Sequence, residues 1–153
     1  MSYASCESAL QTILRALDQY ADPQVTRGDY DVLDAGYAQC CVLRPGPFIA
    51  RESGDWGQKA YDWTLDCTIY ERWVGDGSEW TNLETQRQNV LDQVGAYPTL
   101  NGVSGVTRAV AERAGEVAAV YPRGSDMPAW LMQTIRLQVH EEVVYSSGEF
   151  STS

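Results

Sequence analysis

A chain of 153 residues is the size of one domain, and folding at this length buries roughly 70% of the surface an unfolded chain exposes. Hydrophobic residues at 44% and charged residues at 21% exclude the disordered and collagen-like classes, and no stretch nears the ~18 apolar residues of a membrane helix. With 11 basic residues against 21 acidic ones the formal charge is −10, and Lys59 is the single lysine, which argues against a groove that grips phosphates or an anionic membrane surface.

The first residues, Met-Ser-Tyr-Ala-Ser-Cys-Glu, set no basic region before an apolar one, so no secretory signal is expected. Leu10, Ile13, Leu14 and Leu17 share a face at helical spacing and predict a helix over 5–20, stopped by Asp22-Pro23. The segment 22–38 reads as solvated and acidic. Its Asp29, Asp31 and Asp34 lack the central glycine and terminal Glu of a calcium loop. A short strand over 39–44 is followed by Arg44-Pro45-Gly46-Pro47, which predicts a turn-rich loop over 44–58 with Phe48, Ile49 and Trp56 as an apolar tip.

From Lys59 to Trp73 the apolar residues Tyr61, Trp63, Leu65, Cys67, Ile69 and Trp73 alternate with Asp62, Thr64, Asp66, Thr68 and Arg72, a strand with one buried side. It is longer than the usual 5–6 residues. A second helix is expected over 79–95, opened by the capping box Thr81–Glu84 and buried through Leu83, Val90, Leu91 and Val94. Strands are expected at 106–114 and 117–121, paired with each other, and at 132–144, where Ile135, Leu137, Val139 and Val143 oppose Thr134, Arg136, Gln138, His140 and Glu142. The polar tail 146–153 reads as loose. The sum is a single-domain α+β fold, a mainly antiparallel sheet with two helices on one face.

Catalytic chemistry is not assembled in this pattern. Cys6, Cys40, Cys41 and Cys67 form no CxxC pair, and with one histidine there is no zinc-ligand spacing; no metal or cofactor is expected. Neighbouring Cys40 and Cys41 in an extended segment face opposite ways, so reduced, buried thiols are expected; a disulfide such as Cys6 with Cys67 is compatible with the sequence but unsupported by it. A nucleophilic triad would need His140, which sits on a polar strand face beside Arg136 and Glu142. The glycines match neither a P-loop nor a dinucleotide fingerprint. Trp56, Trp80 and Trp130 fall outside the core stripe and suit contact anchors better than a sugar platform.

The order of helix, acidic linker, strand, turn-rich loop and the long strand around Asp62-Trp63-Thr64-Leu65-Asp66-Cys67-Thr68-Ile69 continues into a helix, Tyr97-Pro98-Thr99-Leu100-Asn101-Gly102 and closing strands. This layout resembles the tail terminator (tail-completion) proteins of long-tailed bacteriophages. The resemblance implies a non-enzymatic virion protein, assembled in the host cytoplasm. It would form a homo-hexameric ring in the tail or neck, cap the tail tube protein and meet a head–neck connector or stopper. DNA would pass through without specific binding, and no membrane is involved. Ring closure needs two different matching surfaces on each subunit. Candidates for those surfaces are Phe48, Ile49, Arg51, Trp56, Trp73, Trp80 and Trp130, and candidates for an acidic, DNA-repelling bore are Asp29, Asp31, Asp34, Asp62 and Asp66. Alternatives are another neck component, or a small cytosolic ligand-binding domain or hydrolase.

Overall fold

The computed structural model describes residues 3–28, 30–52 and 58–144. Helix α1 (Tyr3–Arg15) buries Leu10, Ile13 and Leu14 of the expected stripe together with Cys6, while Leu17 lies past its end and is partly buried. It ends before residue 20, because the chain turns at 16–19 and so brings the Tyr20 hydroxyl to Gln86 Oε1 at 2.5 Å. The segment expected to be merely solvated carries more structure than its polarity suggested. It holds 3₁₀ turns at Asp22–Gln24 and Asp31–Ala35, the latter ending on Gly36 at φ 87, and between them β1 (Val25–Arg27). Val25 and Val32 are both buried.

The largest departure from expectation concerns residues 44–58. Strand β2 (Gln39–Glu52) does not break at Arg44-Pro45-Gly46-Pro47 but continues, with a bulge between Pro45 and Phe48, antiparallel to β3 (Gln58–Arg72). The prolines are tolerated because β1 pairs with β2 only at 41–43. Past Leu43 the strand is an edge, where a missing N–H breaks no ladder. Gly46 is needed at the bulge: a Cβ there would lie 2.9 Å from Thr64 Cγ2 and 3.1 Å from its carbonyl oxygen.

Helix α2 (Ser78–Ala96) begins three residues before the predicted capping box, with Gly77 as N-cap at φ 88. Its first turn is held instead by Asp76, which accepts from Ser78 N–H and Oγ, and by Glu79, which accepts from Gly75 N–H at 3.3 Å. Leu83, Val90 and Val94 are buried as expected and Leu91 partly so, while Gln86 sits fully buried in the same stripe. After the helix, Leu100, Asn101 and Gly102 all have left-handed φ (53, 63 and 81), and the Leu100 side chain is buried.

Strands β4 (Val106–Ala114) and β5 (Ala118–Val120) do not pair with each other as predicted. Both pair with β6 (Trp130–Val144), β4 along 135–141 and β5 along 130–132. The sheet order is β1-β2-β3-β6-β4, with only β1 and β2 parallel, so the mainly antiparallel α+β expectation holds. Both helices pack on one face, against Leu43, Leu65, Cys67, Ile69, Ile135, Leu137 and Val139. A smaller cluster lies on the other face, where Val32, Cys40, Val42, Tyr70 and Trp130 meet with Leu33 and Tyr37 around them. No helix among the described residues is long and apolar enough to cross a membrane.

Candidate functional site

Period-two alternation sends even-numbered residues of β3 and β6 to the face without helices, and the register sets them directly opposite one another. Asp62 faces His140, Thr64 faces Gln138, Asp66 faces Arg136 and Thr68 faces Thr134. Each pair uses its position. His140 Nδ1 lies 2.7 Å from Asp62 Oδ1, Arg136 grips Asp66 with two bonds of 2.9 and 3.2 Å, and the two threonine hydroxyls are 3.0 Å apart. The Arg136 guanidinium is held above its ordinary pKa by that bond and by the Asp66 charge. On the other side of β3, exposed Arg44 stands opposite Asp66 in the register and stacks its guanidinium 5.4 Å from the Tyr30 ring centre. Beside this ladder lies an open cleft of about 430 Å³, lined by Asp62, Thr107, Arg108, Val110, Gln138 and His140.

The geometry answers the question about His140 in chemical terms. Asp62 orients one ring nitrogen as an orienting acid would, but the other, Nε2, faces the Glu142 carboxylate at 3.7 Å. Among the described residues no hydroxyl or thiol hydrogen-bonds to it, and Thr107 Oγ1 donates instead to the His140 backbone carbonyl. The imidazole thus stands between two carboxylates of the polar row, Asp62 and Glu142.

The sequence-derived candidates fall in different places. Asp62 and Asp66 sit together on the open face, Asp66 paired with the Arg136 guanidinium and Asp62 hydrogen-bonded to the His140 imidazole, so neither stands as a bare acid. Trp80 stands 49% exposed on the first turn of α2. Exposed Val74, Tyr121 and Met127 lie near the same end of the sheet, where Trp73 N–H donates to Ala129 O. Trp130, expected to stand clear of the core, is buried in the second cluster with the Arg72 guanidinium 4.4 Å over its ring, because the segment 31–37 folds across that end of the face. Trp73 is half buried against the helix-side core. Asp29 and Trp56 lie outside the described residues, as does the tail 146–153; of Asp31, Asp34, Phe48, Ile49 and Arg51 only the backbone is described, Asp31 and Asp34 in a 3₁₀ turn and the others in β2. Arg108, Gln138 and Val110 were not singled out as site residues, although the alternation at 132–144 already put Gln138 in the polar row.

Charge is distributed unevenly across the sheet. The open face collects Arg44, Arg108 and Arg136 around its acids. On the opposite side, the helices and the turn after α1 expose Asp18, Asp22, Glu84 and Asp92.

No protein-family model and no curated protein matches the chain. Among solved structures it is similar to a chain in the virion of a native gene transfer agent (GTA) particle, aligned over 93% of this chain and 100% of that one at 14% identity, with a TM-score of 0.54. A second solved chain aligns over 94% of each chain at 18% identity; its TM-score of 0.44 carries no argument. At these identities the likeness establishes the shared fold alone.

Proposed function

We propose that the chain is a structural subunit of a phage-like virion, a tail terminator that closes into a ring on the tail tube and joins it to the neck. The observation that carries this reading is the end-to-end fold likeness to a component of the gene transfer agent virion, which leaves no part of that chain unmatched. The layout of the elements in the sequence, which resembles that of tail terminators, supports the finer assignment.

Ring closure requires two unlike surfaces that fit. The arginine-bearing open face and the acidic helical side lie on opposite sides of the sheet, which suits a head-to-tail contact between copies. Electrostatic complementarity of this kind steers encounter and fixes register more than it adds affinity. Because Asp62 and Asp66 are already paired, they fit such a contact better than a DNA-repelling bore. The bore would draw on the remaining acidic surplus of the chain. Trp80 and its exposed neighbours at the α2 end supply an apolar contact for the tube or the neck protein.

Native mass measurement and negative-stain imaging, with tail tubes present, test this reading. Six-fold rings seated at tube ends are expected. A strict monomer that never joins tubes would overturn it.

A further inference from the structure

All four cysteines are buried as free thiols, and two of them meet. Cys41 on β2 lies opposite Ile69, and Cys67 on β3 lies opposite Leu43, so the two are diagonal neighbours on the helix-covered face. Their Sγ atoms are 2.9 Å apart, closer than sulfurs in ordinary van der Waals contact and about 1 Å from bonding distance. Cys40 faces the other side of the sheet and packs into the second cluster, so chain adjacency does not make it the partner. This pair is also not the Cys6–Cys67 combination that the sequence left open.

We propose that Cys41 and Cys67 form a reversible cross-strand disulfide that locks β2 to β3, closed by a two-electron oxidant of the peroxide class. One thiolate attacks a peroxide oxygen, giving a sulfenic acid and hydroxide, which takes up the released proton as water. The second thiol displaces a further water from the sulfenic sulfur. Two thiols thus lose two protons and two electrons, and one hydrogen peroxide becomes two waters.

Burial governs the rate. It pushes the Cys41 thiol well above its ordinary pKa of 9.0, so little thiolate exists in the closed fold, and oxidant reaches the pair when the flank opens. That flank is slight: β1 contributes three residues at the sheet edge over β2. Added thiol reopens the closed bond by exchange through a mixed disulfide. This inference does not depend on the assembly role.

The test uses the full chain, reduced and then treated with hydrogen peroxide under native conditions. Alkylation in denaturant should tag two cysteines instead of four, with the intact mass lower by two hydrogens before tagging. Tryptic peptides 28–51 and 60–72 should run as one species that dithiothreitol separates, trypsin not cutting between Arg44 and Pro45. Sequencing of the linked peptide by fragmentation should place the bond at Cys41, and the Cys40→Ala variant should keep it while Cys41→Ala and Cys67→Ala lose it. Four taggable thiols after oxidation, or a bond at Cys40 or Cys6, would overturn the proposal. So would sulfinic or sulfonic products without a cross-link.

Discussion

The two faces of one strand pair, β3 with β6, use the same register for opposite ends. On the helix side the directly opposed residues are Leu65 with Leu137, Cys67 with Ile135 and Trp63 with Val139. On the open side, one residue along in each strand, they are Asp66 with Arg136, Asp62 with His140 and Thr64 with Gln138. The first set is removed from water and contributes through transferred apolar area and dense packing. The second set is half exposed, and such pairs contribute little to folding. A polar ladder of weak folding value, held in a fixed pattern, is what an assembly surface would present.

The comparison breaks most decisively at the core. Leu137→Ala should cost about 2–5 kcal/mol, lowering the melting midpoint on the order of 2–4 °C for each kcal/mol, whereas Gln138→Ala, its neighbour in sequence, should stay within about 0.5 kcal/mol. Denaturant titration of both variants checks this, and equal losses would abolish the distinction between the faces.

Glu141 sharpens it next, because it is a carboxyl on the wrong side. It follows Val139 on the helix-side face and is fully buried, and burial raises its pKa from the ordinary 4.5. A carboxyl raised on folding binds more protons in the folded than in the unfolded chain, so its contribution to stability falls as pH rises from about 4.5 through the raised value. Glu141→Gln keeps the size and shape of the side chain and removes that titration. The variant should therefore gain on the wild type as pH rises from 4.5 to neutrality, measured by melting at each pH. A constant difference across that range would mean that Glu141 is not held protonated.

A smaller effect is expected from the open face. Asp66→Asn should cost about 0.2–1 kcal/mol, and the loss should shrink in high salt, since the Arg136–Asp66 pair is partly exposed. Trp80→Ser should leave melting unchanged within about 0.5 kcal/mol while reducing incorporation into tails, scored by co-sedimentation with tubes.

The long alternating strands were legible because each has one dry side, and a period of two survives any detail of tertiary packing. The prolines at 45 and 47 misled because chain-local turn chemistry does not reveal that β2 has lost its outer neighbour there. Tyr70 and Trp130 on the polar row are buried by a 3₁₀ turn some forty and a hundred residues away in sequence, an event no local pattern encodes. The buried Gln86 was invisible for the same reason: its partners, Tyr20 and the Tyr70 carbonyl, come from other elements. For the candidate site, both polar rows were readable, but not their register. Asp62 and Asp66 looked like free acids until β6 set His140 and Arg136 opposite them, 78 and 70 residues later.

The division between the faces is tested most directly by Gln138→Glu, which adds a negative charge to the middle of the open face, at an exposed position, against the acidic helical side of the next copy. Ring formation on tail tubes, counted by negative stain beside the wild type, is the measurement. The account predicts a variant that melts normally and forms few rings. Normal melting with undiminished rings would contradict it.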